Sequence, residues 1–246
     1  MVVIRDDQRI ARLARIARIL STAGLAALIV GLLFIFLRDD PNVFIYQLFA
    51  LAVGFTLSQF GLALAHRYLR VPRMDLALDK AAGKFARKDG RLYHYVLPAP
   101  HVLLLPSAVV VLAAKFQAGR ISADGDTWRQ AGIGMRRIVG REGLGNPARE
   151  AEAMVTRMSA FIDEAAPAAA GAPVIPIIVF TAQNIDSLDV KNSRIPAVHA
   201  SKLTGALRQH TINLKPLPPE AYEALRSAFD ARAGHLLEVQ VEENGE

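Results

Sequence analysis

Lys115 is the residue through which chemistry would run in this chain. It closes AVVVLAAK, an apolar run rich in β-branched residues, and a cation at the end of a buried strand stands where sheet folds commonly place reactive groups. Taken alone, such a lysine also reads as a side chain that lays its stem along apolar surface and holds its ammonium in water. His94 and His101 fall on two runs that would pair as neighbouring strands, a placement that can bring two imidazoles to one metal ion. With 6 histidines and no cysteine in the chain, the expectation is two imidazoles bonded to solvent or backbone, and no metal site or cofactor. The lack of cysteine also excludes disulfides, thiolate zinc sites and cysteine nucleophiles. Gly132, Gly134, Gly140, Gly143 and Gly145 match none of the spacings of phosphate-binding loops, and no nucleophile elbow is present. What remains is electrostatic. Lys80, Lys84, Arg87, Lys88, Arg120, Arg136 and Arg137, with Arg91, Arg129 and Arg141, supply charge that can neutralise phosphate or lipid headgroups. Tyr93, Tyr95 and Trp128 add rings on which bases can stack.

Strands and helices on either side of Lys115 would position these groups. HVLLL (101–105) and AVVVLAA are two strands joined at Pro106-Ser107, too apolar to be edges. RLYHYVL (91–97) alternates like a strand until Pro98 and Pro100 break it. A strand at 120–122 turns at Asp124-Gly125 into Thr127-Trp128. Asn146-Pro147 caps a helix to about Glu164. VIPIIVF (174–180) is a buried strand. MDLALDKAAGKFAR (74–87), 201–209 and 219–233 read as helices. Interleaved in this way, strands and helices predict an α/β domain with a mixed sheet over 73–210, followed by a C-terminal helix and acidic tail, 211–246.

The block HVLLLPSAVVVLAAK, the 119–128 hairpin, Asn146-Pro147 and PVIPIIVF occur in an order and spacing similar to the nuclease-related domain (NERD) family of the restriction-endonuclease-like superfamily, over roughly 76–209. The resemblance implies that fold. It also implies a metal-dependent phosphodiesterase site built from an Asp, a Glu-x-Lys and a helix-one glutamate. Aligned through Lys115, the family's Glu falls on Ala113 and its Asp on Pro100, so the lysine is kept and both carboxylates are absent. Asp75 and Asp79 lie in the first helix without matching its glutamate. Glu150, Asp124 and Asp126 are the carboxylates from which a relocated site would have to be drawn. Asp124 and Asp126 equally read as a hairpin turn, and Glu150 as a first-turn helix residue. The expectation is a degenerate, non-catalytic member that binds or scaffolds. The alternatives are a nuclease with relocated carboxylates and a non-cleaving nucleic-acid binder.

Hydrophobic residues make up 52% of the 246, and the excess is concentrated near the N-terminus. Residues 5–18 place arginines at 5, 9, 12, 15 and 18 and read as a basic amphipathic helix at a membrane surface (1–18). Uncharged apolar runs follow at 19–37 and 43–65, each near the length needed to cross ~30 Å of hydrocarbon. The linker RDDPN between them is too short for anything but an antiparallel hairpin (19–65). Gly24 and Gly31, and Gly54 and Gly61, each lie seven apart on one face, which would let the helices approach closely. Net charge is +2 over 1–65, +9 over 66–141 and −5 over 142–246. Basic flanks at both ends of the hairpin place both termini in the cytoplasm, with anionic headgroups as the nearest partner.

Overall fold

The computed structural model describes residues 1–36, 42–69, 73–86, 90–132, 143–234 and 236. The chain divides into two compact units: one of residues 1–6, 74–133 and 144–246, and one of residues 7–73 with 134–143.

The larger unit is built on a six-stranded sheet in the order β1-β2-β3-β4-β7-β9. Its strands are β1 (Val2–Arg5), β2 (Arg91–His94), β3 (His101–Leu105), β4 (Ala108–Lys115), β7 (Val174–Phe180) and β9 (Ala197–His199). The sheet is mixed. β1 lies parallel to β2, the β2-β3 and β3-β4 pairs are antiparallel, and β4, β7 and β9 run parallel. The strands expected at 91–97, 101–105, 108–115 and 174–180 lie in this one sheet, and the one expected at 120–122 lies in a second. β2 ends three residues early because Tyr95 turns left-handed (φ 62°) and donates its N–H to the Pro100 carbonyl at 2.7 Å, closing the loop before β3. Pro176 is tolerated inside β7 for a geometric reason. Ile178 N–H bonds the Pro196 carbonyl on the β9 side. Two residues earlier the same side lies beyond the end of β9, so the N–H that proline lacks has no ladder partner to lose.

Helices cover both faces. α4 (Pro147–Ala165) and α6 (Pro219–Arg232) pack Met158, Ile162, Leu225 and Phe229 on Tyr93, Val102, Leu104, Val109 and Val111. α3 (Met74–Gly83) and α5 (Leu203–Thr211) pack Leu78, Ala82, Leu203 and Leu207 on Leu92, Leu103, Val110, Leu112, Ile177 and Val179. The alternation of β3 and β4 residues between these two lists is the pleat of strands apolar on both sides. α6 is therefore part of this core, with Leu225 and Phe229 fully buried. A second sheet, β6-β5-β8, is formed by β5 (Gly119–Asp124), β6 (Thr127–Ala131) and β8 (Ile185–Lys191). Its Ile121 joins Ala113, Ala148, Ala151, Ile178, Phe180 and Ile195 in a third apolar cluster.

The smaller unit consists chiefly of α1 (Asp7–Leu33), continued by a 3-10 turn at Phe34–Phe36, and α2 (Val43–Tyr68). Both are long and apolar enough to cross a membrane. The N-terminal reading needs correction. Residues 2–5 are a strand, and the helix opens at Asp7 and runs without a break through the basic and apolar segments alike. Arg9, Arg12, Arg15 and Arg18 are exposed. At three-residue spacing, about 300° of rotation per step, they spread over half of the helix circumference. The glycine face is found as expected: Gly24, Gly31, Gly54 and Gly61 are buried in the helix pair. A Cβ on Gly24 would stand 2.6 Å from the Ser58 backbone nitrogen, and one on Gly61 2.6 Å from that of Ser21. The linker 37–41 lies outside the described residues.

Candidate functional site

Lys115 sits at the C-terminal end of a central strand, where Thr181 holds its carbonyl with both N–H (2.7 Å) and Oγ1 (3.2 Å). Its side chain is 9% exposed, too buried for the water-seeking reading. The group that receives it comes from α4. Asn146 caps that helix, its Oδ1 accepting from Arg149 N at 3.1 Å, while its Nδ2 donates to the Asp126 carbonyl at 3.1 Å. The β5-β6 turn and the helix start are thus fastened together. The first turn of α4 then presents Glu150, and Lys115 Nζ donates to Glu150 Oε1 and Oε2 at 2.7 and 2.6 Å, with the Leu144 carbonyl at 3.4 Å. The ammonium thereby spends its donors on the two oxygens of one carboxylate and on the Leu144 carbonyl, a charge-assisted pair, while Glu150, 46% exposed, keeps lone pairs on its open side.

The other candidate carboxylates go elsewhere. Asp124 Oδ1 accepts from Asn192 Nδ2 at 2.8 Å, and Asp126 from Arg194 at 2.9 and 3.1 Å. Ala113 is 1% exposed among Ile121, Ala148 and Phe180, and Pro100 contributes a backbone carbonyl to the loop before β3. Among the described residues no group of three or more His, Asp or Glu is placed to hold a metal ion.

A second cluster lies across β1, β2 and β3. Arg5, His94 and His101 are neighbours in one row of the sheet, Arg5 opposite His94 and His94 opposite His101. His94 Nδ1 meets His101 Nδ1 at 2.7 Å, and His94 Nε2 meets Asp79 Oδ1 at 2.9 Å. Arg5 reaches α3 with two contacts, its Nε 3.0 Å from Asp75 Oδ2 and its Nη2 on Asp79 Oδ2. Both imidazoles and Asp75 are buried. The expectation of two solvent- or backbone-bonded histidines is thus overturned: they bind each other and a carboxylate. The His101 ring is held well below the ordinary histidine range, by burial first and by His94 next, with Asp75 opposing and Arg5 adding to the depression.

The cationic surface divides. Lys80, Lys84, Arg120 and Arg129 are exposed, while Arg87, Lys88, Arg136, Arg137 and Arg141 lie outside the described residues. Arg91 is taken out of any anion-binding surface by Asp230, which it meets at 2.9 and 2.8 Å. Of the rings proposed for base stacking, Tyr93 is fully buried, edge-on to Phe229, with its hydroxyl donating to Asp230 Oδ1 at 2.8 Å. Burial first and Asp230 second push that hydroxyl far above the usual tyrosine range. Tyr95 packs on His101 and Trp128 on Phe180. No stacking platform is formed by these three.

The elements and side chains together define an α/β domain with helices on both faces of a mixed sheet, carrying two long apolar helices in its N-terminal part. Compared with protein family models, curated proteins and solved structures, the chain has no match.

Proposed function

We propose that this chain is a membrane-anchored, cytoplasmic NERD-like domain that binds or scaffolds and does not cleave nucleic acid. The observation that carries the reading is the occupancy of the lysine: the one family residue kept, Lys115, is saturated by Glu150, and the positions of the two family carboxylates hold Ala113 and Pro100. A divalent ion in an oxygen-ligand nuclease site needs carboxylate charge. At ~4 Å and an effective dielectric near 20, each unit of ligand charge is worth about 4 kcal/mol per unit charge on the ion. Two such ligands are missing, and the remaining carboxylate is already paired with a cation. The full chain in detergent, incubated with DNA or RNA and Mg²⁺ or Mn²⁺, is expected to leave both intact. Metal-dependent cleavage abolished by Lys115→Ala would overturn the proposal, whereas cleavage that survives this change marks a contaminating nuclease.

The anchor has its own support. β1 precedes the first apolar helix and pairs with β2, which follows the second. Segments that share a sheet share a compartment, so the hairpin crosses an even number of times. Arginines flanking both ends, against one arginine and two aspartates in the linker, support an inside position for that compartment. Because the chain has no cysteine, single cysteines report cleanly. Asn42→Cys should label from outside with a membrane-impermeant maleimide and Ser227→Cys only after permeabilisation. Outside labelling of both removes the topology.

A further inference from the structure

We propose that the outward layer formed by α3 and α5 docks on an anionic bilayer surface, an inference that rests on the membrane anchor proposed above. The two helices lie side by side on one face of the large sheet. They turn Leu78, Ala82, Leu203 and Leu207 inward, and Thr204 Oγ1 donates to the Ala81 carbonyl at 3.0 Å. At about 100° of rotation per residue, the positions opposite those inward ones are Leu76 and Lys80 on α3, and Arg208 and Ile212 at the end of α5. All four are exposed. Each helix thus carries a cation and a large aliphatic side chain one turn apart on its outer ridge.

The charge of this layer is of one sign. Lys84 and Lys202 join Lys80 and Arg208 as exposed cations, and none of the four meets a carboxylate among the described residues. The carboxylates of 74–84 and 200–212 are Asp75 and Asp79, and both are turned to Arg5. On other surfaces of the domain Lys191 is answered by Asp189, Arg194 by Asp126 and Arg226 by Glu223. Apolar exposure is concentrated here too. Outside the hairpin, the exposed large hydrophobic residues among those described are Val2, Leu76 and Ile212, and the last two, 46% and 68% exposed, stand on this layer.

Cations set among protruding aliphatic side chains match a lipid surface, where headgroups meet the charges and acyl chains receive Leu76 and Ile212. A nucleic acid would meet the cations and leave both apolar side chains in water. It would also find no exposed aromatic ring to stack on among the described residues of the layer. Proximity favours the bilayer as well. Met74 follows Tyr68, the last residue of α2, by six positions, a reach of at most about 22 Å. The layer therefore meets lipid at high effective concentration and needs few contacts to dock.

The full chain reconstituted in vesicles tests this, with an environment-sensitive dye on Asn213→Cys, an exposed position beside Ile212, and quenchers attached to the lipid acyl chains. Vesicles of phosphatidylcholine mixed with phosphatidylserine should quench the dye, and phosphatidylcholine alone should not. The same dye on Ser227→Cys of α6 should stay unquenched in both. Lys80→Gln with Arg208→Gln should lower the ratio of docked to free domain on the order of thirtyfold, about fivefold per cation. Equal signals in the two lipids, or quenching unchanged by the double substitution, would overturn the docking. Leu25→Cys, on the outward face of the hairpin, separates the two proposals. Quenched in either lipid, it keeps the anchor even where the docking fails, and unquenched it brings down both. Duplex DNA that shields Asn213→Cys from a water-soluble quencher, where phosphatidylserine does not, assigns the face to nucleic acid and overturns the lipid partner.

Discussion

Arg5→Met should lower the stability of the larger unit by about 3–5 kcal/mol, the usual cost of removing one partner from a buried ion pair. Arg5 is the cation that faces both carboxylates of α3, and Asp75 is 1% exposed. Without the guanidinium, a carboxylate stays in a site shielded from water, and Asp79 is left to His94 alone. The loss is one of desolvation and not of attraction, which yields a second expected result. Arg5→Met combined with Asp75→Leu should recover most of the stability, because replacing a buried pair by apolar groups of similar size is often neutral. Denaturant unfolding of the full chain in micelles measures both. A single variant within about 0.5 kcal/mol of the unaltered chain, the scale of an ordinary surface change, shows that the pair is not as buried as its geometry requires. A double variant no better than the single shows that packing, and not charge, sets the cost.

That cluster was the least legible part of the chain, for identifiable reasons. Its histidines were visible as residues on adjacent strands, and the β2-β3 register does place them opposite each other. Their partner was not visible, because β1 was read as part of a helix. VVIR is four residues long, below the length at which alternation separates from noise, and the arginine spacing that follows fits a helix well. A signal was available: Asp6 stands just before the helix and Asp7 in its first turn, acidic residues that mark a helix start after Arg5. β8 and β9 were missed for related reasons. IDSLDVK carries two aspartates and breaks its alternation at Ser187, so its inward residues are Ile185, Leu188 and Val190. AVH has three residues and exists only as the partner of β7.

The central strands were legible because both their faces are buried. HVLLL, AVVVLAAK and VIPIIVF have no polar face to confuse the reading, and a continuous apolar run bounded by turns has few other interpretations. Lys115 stood out for the same reason, as the one charge in such a run. Its partnership with Glu150 did not, since it spans 35 residues and depends on α4 starting at Asn146. Each residue had been singled out. What the spacing lacks is the docking of the helix start on the β5-β6 turn, which brings the first turn of α4 over the end of β4.

Replacing Gly24 and Gly61 by leucine should separate α1 from α2. In a bilayer the hydrophobic effect does not hold two helices together, because lipid tails are as apolar as leucine, and close packing must do so. Here the packing is backbone on backbone. A Cβ at Gly24 would meet the Ser58 nitrogen at 2.6 Å and the Gly54 carbonyl at 2.9 Å, and one at Gly61 the Ser21 nitrogen at 2.6 Å. Side chains can turn aside from such contacts, but main chains cannot, so the helix axes themselves must move. Gly31 differs: its Cβ would lie 3.1 Å from the Ala50 Cβ, with no nearer backbone atom. Paired cysteines at Gly31 and Ala50 are therefore a reporter close to the ~3.8 Å that a disulfide requires between Cβ atoms. The cross-link should form readily in an otherwise unaltered chain reconstituted in lipid. Overpacking of a close contact costs about 1–3 kcal/mol per site, so Gly24→Leu with Gly61→Leu should cut the yield about tenfold or more. Leu25→Ala, on the outward face at 57% exposure, should leave it unchanged. A cross-link that forms equally well with both leucines in place would mean that the two helices are not held by their glycines.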